Sequence, residues 1–402
     1  MSNPVHDAIP AIGADAPRLG LLFGVLLLLG FAIHAHGQAR DAAGAAEIAA
    51  NSGRTLLEKG DLKGAIAQYH RALQIDPRNI SAHLGLGTAR YRQGDLEGAL
   101  EIFGAALRLD PEQAPVYDHI GTVLYAKGDV QGAIRAFRRA LQIDPKFVQA
   151  YSDLGAALYA RGDIAGAIIA LEKATRLAPK HVQAHFNLGL GRKKKGDFQG
   201  SMQAFRTAIQ LDSTFVAARS SLALLLNQQG DAEAAIAQYR QIIRLAPGHA
   251  DAHNNLGYIL YTRSDVIGAM DAYQSALKAD PQHARAHFNL GLALKKQGDI
   301  EGAVQFLRQS VRLRPGFIRA YNHLGAALYA RGDISGAMQV YQQALQFIPD
   351  YAGPHFGLAT ILKERGDEAG ALRHYRAIVH SGDDEHLRGI ATQIIQAMGE
   401  EL

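Results

Sequence analysis

The stretch "HFNLGLGRKKKGD", His185 to Asp197, gathers residue types that could do chemistry. Closely spaced glycines beside lysines suit a loop that cradles phosphate, and a basic run suits nucleic acid. Upstream, His181 and His185 stand four residues apart, as do His249 and His253, and His283 and His287. Two imidazoles at that spacing can chelate zinc from one helix face. Each possibility weakens on inspection. A phosphate loop follows a strand, and nothing in the chain reads as one. No glutamate sits inside a histidine pair as in a zinc protease, and one member of each pair occupies a position filled elsewhere by Tyr117, Tyr151 or Tyr321. Cysteine is absent, which removes thiol catalysis and thiolate metal sites. Serine, histidine and aspartate are too scattered to nominate a triad. No catalytic residue, metal or cofactor is expected, and the chain is read as a non-enzyme.

A near copy of the opening stretch, "HFNLGLALKKQGD", begins at His287, so these residues belong to a repeat. Gly-Asp recurs at Gly60, Gly94, Gly128, Gly162, Gly196, Gly230, Gly298, Gly332 and Gly366, always on a 34-residue clock, with Ser264-Asp265 in the vacant slot. Proline keeps the same time from Pro77 to Pro349, with Ser213 in one slot. Each period reads as two helices. Glycine ends the first in the left-handed conformation, aspartate caps the second, and proline stops it. Ser264 should cost ~1 kcal/mol in that turn or adopt another one. Leu-Gly at Leu86, Leu154, Leu188, Leu256, Leu290 and Leu324 faces an alanine such as Ala99 or Ala303. An aromatic or leucine follows that alanine by four residues, as at Phe103 and Leu307. The missing side chains are expected to admit a neighbouring backbone while the larger residue fills the space between layers. Helices of about 12 residues are marginal alone, so stability must come from stacking.

These features together resemble the tetratricopeptide repeat (TPR) family, over ten consecutive units at residues 46–385. The resemblance implies an all-α, right-handed α-solenoid (superhelix) of tandem helix-turn-helix units. A capping helix is expected at 386–402, where Leu387, Ile390, Ile394, Ile395 and Met398 recur at helical spacing. The resemblance also implies that first helices line a concave face where extended peptides bind. On that stripe fall Gln183, Asn187 and Lys194 of the fifth unit, Asn255 of the seventh, Arg285, Asn289 and Lys296 of the eighth, and Arg319 of the ninth. An asparagine amide can pair with both polar groups of a bound backbone, and lysine or arginine would select acidic ligands. Against this, Arg192 to Lys195 close a helix, where cations simply offset the dipole. The asparagine before Leu-Gly is similar to the ladder in the TPR superhelix of O-linked N-acetylglucosamine transferases. Here it is interrupted by Gly85, His119, Asp153, Ser221, His323 and Gly357.

Composition fits such a scaffold. The 402 residues are 48% hydrophobic and carry a net charge of only +4, so a dense basic field for nucleic acid is lacking and no nucleic-acid partner is expected. The one long apolar run, 19–35, follows a polar leader (1–18) and precedes a linker (36–45). It is read as a single membrane anchor, the leader's two acids making a poor signal sequence; the alternative is a cleaved signal and a secreted or periplasmic protein. The expected function is a membrane-tethered, non-enzymatic scaffold for protein or peptide ligands, acidic ones among them, in an envelope, secretion or polysaccharide-export assembly. The alternative is a substrate-recruiting subunit of a glycosyltransferase whose catalytic domain lies on another chain.

Overall fold

The computed structural model describes residues 42–381 and 384–400. Among them are 21 helices and no strand. Two compact units divide the chain, one ending at Gly196 and the other starting at Asp197. The N-terminal unit holds α1 (residues 42–58), α2 (Leu62–Ile75), α3 (Ile80–Gln93), α4 (Leu96–Leu109), α5 (Ala114–Ala126), α6 (Val130–Ile143), α7 (Val148–Arg161), α8 (Ile164–Leu177) and α9 (Val182–Lys195). The C-terminal unit begins with α10 (Phe198–Leu211), α11 (Val216–Gln228), α12 (Ala232–Leu245), α13 (Ala250–Thr262), α14 (Val266–Ala279) and α15 (Ala284–Gln297). It continues through α16 (Ile300–Leu313), α17 (Ile318–Ala330), α18 (Ile334–Phe347), α19 (Ala352–Glu364), α20 (Glu368–His380) and α21 (Glu385–Ala397).

The turn between paired helices is built locally. Gly94 takes φ +88°, and the Asp95 N–H reaches back to the Arg90 carbonyl at 3.0 Å. The Asp95 carboxylate then accepts the Gly98 N–H at 2.9 Å, which caps α4. A Cβ on Gly98 would come within 2.3 Å of that carboxylate, a contact the side chain relieves by turning: in another unit Ala234 holds this position and its N–H still reaches Asp231 Oδ1 at 3.0 Å. Ser264 does not escape to another turn. It holds φ +67°, and Asp265 N–H bonds the Leu260 carbonyl at 3.0 Å as in the other units.

Within each unit, successive helices pack against each other, and first helices also touch first helices, as α3 does α5, α5 α7, α13 α15 and α15 α17. The core between layers is alanine and rings. Ala99, Ala133, Ala269 and Ala303 are fully buried, as are Phe103, Phe137 and Tyr273. The Leu-Gly glycines chiefly admit a side chain of the partner helix, with backbone as a second neighbour. A Cβ on Gly87 would lie 2.4 Å from the Phe103 ring; one on Gly257 would lie 2.7 Å from the Tyr273 ring and 3.0 Å from the Ala269 carbonyl oxygen. Ile395 and Ala391 of α21 are buried in one cluster with Tyr375 and Ile378 of α20.

The expected membrane association is corrected. No helix among the described residues is long and apolar enough to cross a membrane. Spanning takes about 20 apolar residues, whereas helices α2 to α21 run to 13 or 14 and α1 carries Glu47, Arg54 and Glu58. The run 19–35 lies outside the described residues, so neither anchoring nor the secreted alternative remains in the functional assignment.

Candidate functional site

In the C-terminal unit, the expected side chains sit on α13, α15 and α17, first helices that touch one another. The Asn289 amide of α15 donates to Asn254 Oδ1 of α13 at 2.9 Å, and Asn254 Nδ2 donates to Asn255 Oδ1 at 3.4 Å. Asn254, only 4% exposed, is the hub of this amide chain. The sequence does not single it out, because it stands one position before the asparagine of the stripe. The chain uses one N–H of Asn289 and leaves an amide geometry fixed from below, with a second N–H and the Asn289 carbonyl still available by count. Asn255 also faces the Tyr239 hydroxyl, whose pKa burial pushes up to about 12, opposed by the Asn255 amide.

Cations flank the amides. The Lys296 ammonium lies 4.9 Å from the centre of the Tyr261 ring. Arg319 of α17 lies 6.0 Å from the centre of Phe288, itself packed on Phe317 and His323. These contacts fix long side chains that would otherwise be mobile, at ~0.5–1 kcal/mol each for exposed groups. His323 adds no charge near neutrality, since burial, Lys295 and Arg319 push it down to about 4. Arg285 and Arg319 are exposed in the first turns of their helices. The face therefore combines fixed amides with permanent positive charge.

Gln183, Asn187 and Lys194 lie on α9 of the N-terminal unit. Gln183 donates to Asn187 Oδ1 at 2.9 Å, so these two are brought together. Lys194 is exposed in the last turn with Arg192, Lys193 and Lys195, where all four offset the helix dipole. Gly189 and Gly191 are buried inside α9, away from any loop.

The histidine pairs have separate backbone tasks. His181, His249 and His283 are helix N-caps, their Nδ1 atoms accepting Ala184, Ala252 and Ala286 N–H at 3.1–3.2 Å. His185, His253 and His287 instead donate Nε2–H to the carbonyls of Pro179, Pro247 and Pro281 at 2.8–3.0 Å. Arg219 does the same for Ser213, through Nε and Nη2. Among the described residues no three histidine, aspartate or glutamate groups converge as a metal site would require.

Three interruptions of the asparagine series, Gly85, His119 and Gly357, meet a ring of the preceding repeat's second helix. At Gly85 a Cβ would lie 2.2 Å from the Tyr69 ring, and at Gly357 2.4 Å from Tyr341. His119 stacks on Phe103, with centroids 5.4 Å apart and planes 6° apart. In the N-terminal unit this arrangement borders a cavity of about 440 Å³ on the face of α3, α5 and α7, lined by Asp118, His119 and Asp153. The series signalled Asp153 and His119 only as departures, and Asp118 not at all.

Family models for the TPR repeat match residues 53–94, 121–162 and 327–366, and those for the tetratricopeptide repeat match 152–214, 220–284 and 268–317. No curated protein matches the chain. Among solved structures, Pseudomonas aeruginosa PilF is similar over 54% of this chain and 97% of its own, at 21% identity and TM-score 0.47. MamA is similar over 40% of this chain and 94% of its own, at 27% identity and TM-score 0.37. YrrB, described as a TPR protein with an unusual peptide-binding site, is similar over 48% and 97%, at 23% identity and TM-score 0.41.

Proposed function

Because the chain belongs to the tetratricopeptide repeat family, whose members are protein-interaction scaffolds, we propose that it captures extended, acidic polypeptide segments on the first-helix face of α13, α15 and α17. The observation that carries this is the Asn289–Asn254–Asn255 amide chain with Lys296 and Arg319 held over aromatic rings beside it. An amide already fixed by one hydrogen bond loses little freedom when it takes a peptide backbone group, and preorganisation of that kind favours binding. Fixed cations then favour carboxylate-bearing segments by charge complementarity, an effect that salt weakens. Gln183, Asn187 and Lys194 would form a second capture point, within the N-terminal unit, by the same amide-plus-cation logic.

Nothing in this reading calls for catalysis, and the family points to a non-catalytic scaffold. Replacing Asn289, Lys296 and Arg319 together by alanine should weaken capture of an acidic peptide at least tenfold in fluorescence anisotropy. The melting temperature should fall modestly, because Asn289→Ala removes the donor to buried Asn254, so capture is compared well below both transitions. Equal capture by the triple variant would remove the face from consideration.

A further inference from the structure

We propose that the cavity on the α3, α5 and α7 face of the N-terminal unit binds the cationic head of a lysine or arginine side chain from a partner polypeptide. Asp118 lines the cavity, is only 5% exposed, and has one carboxyl oxygen, Oδ1, buried without a hydrogen-bond partner. Orphaned acceptors of this kind are rare in folded proteins, and rotation of the carboxyl about its Cβ–Cγ bond would offer this oxygen to a donor in the cavity. Asp153 of the next first helix lines the same cavity, and both of its oxygens accept the Gln149 amide at 3.1 Å. Burial raises the Asp118 pKa to about 7, the neighbouring Asp153 adding to the effect; burial also raises that of Asp153, against the Gln149 bond and His181.

Against the two acids, the lining includes one permanent cation, Arg92, whose Nη1 is engaged elsewhere, and Asp153 also feels His181. His119 lies flat on Phe103, and burial lowers its pKa from the ordinary imidazole value, which disfavours its charged form near pH 7, where Asp118 ionises. From α3, Arg92 directs Nη1 to the Leu57 carbonyl at 3.0 Å, with Tyr91 beside it; α4 and α6 contribute only the rings of Phe103 and Phe137. A bare metal ion is a poor fit, because 440 Å³ far exceeds it and no third ligand of the metal-binding types converges. A lysine or arginine fits the whole site. Its methylenes would lie on the phenyl walls, its charged head would reach Asp118 and Asp153, and the Tyr91 and Tyr125 rings suit a cation.

This site does not depend on the acidic-peptide face of the C-terminal unit, and the two are separable by experiment. Full-length protein is titrated by calorimetry with acetyl-Gly-Gly-Lys-Gly-Gly-amide and with the same peptide carrying arginine, norleucine or glutamate. The lysine and arginine peptides should bind at least tenfold more tightly than the norleucine and glutamate peptides. Affinity for the lysine peptide should rise several-fold from pH 6 to pH 8 as Asp118 ionises. Asp118→Asn should lose that preference at least tenfold while leaving acidic-peptide capture intact, and Asp153→Asn should weaken it in the same direction. Equal affinity for lysine and norleucine, no measurable binding of any peptide, or an unaltered preference in Asp118→Asn would each overturn the proposal.

Discussion

Asp118 and Asp153 come from first helices one repeat apart, and only the fold shows that they share a cavity. A carboxyl group whose folded pKa stands near 7, against an ordinary 3.8, is one the folded state prefers neutral. The sign follows from linkage: the destabilisation is absent below about pH 4, grows as pH rises, and is complete above about 7, at roughly 4 kcal/mol as an upper bound. Asp118→Asn should therefore leave chemical-denaturation stability nearly unchanged at pH 4 and raise it at pH 8; an equal gain at both would remove the charge explanation. At this scale the sequence was only partly readable. Asn187, Asn255 and Asn289 followed from spacing, but the use of Asn289 hinges on a hydrogen bond to Asn254, 35 residues away. Such a bond depends on two side-chain rotamers on neighbouring helices, which no period encodes.

Helices and turns were legible because their causes are local. Glycine in the left-handed region, aspartate at the cap and proline past the end act within a few residues, so the 34-residue clock placed them. Ser264 is the exception that measures the rule. It keeps the turn at φ +67°, so Ser264→Gly should raise stability by about 0.5–1 kcal/mol, the steric relief exceeding the added freedom of the unfolded chain. Urea denaturation of the two proteins checks this, and a less stable glycine variant would contradict it. The histidine pairs show how spacing misleads. A cap at the first position and a donor to the proline carbonyl four residues later together produce the separation of a zinc chelate, without any shared ligand.

At the largest scale, interactions within each unit run mainly from one helix to the next, with further contacts between successive first helices, so stability within a unit is a chain of nearest-neighbour terms. Leu290→Ala, at a 1% exposed position, should cost about 2–5 kcal/mol locally. Hydrogen exchange should then quicken most in α14 to α16 and progressively less toward α21. Uniform quickening from α10 to α21 would show one cooperative block instead. The joint between repeats has a consequence for how such chains can be recombined. Tyr69 and Tyr341 each touch a glycine of their own repeat and another in the next, and His119 rests on a ring from the repeat before it. A cassette cut at the prolines separates Tyr69 from Gly85, and one cut at the Gly-Asp turns separates it from Gly53. Neither boundary leaves a self-contained module, because the ring is shared by two first helices. Shuffled or permuted arrays should keep their packing only when a second helix is moved together with the first helices on both sides of it.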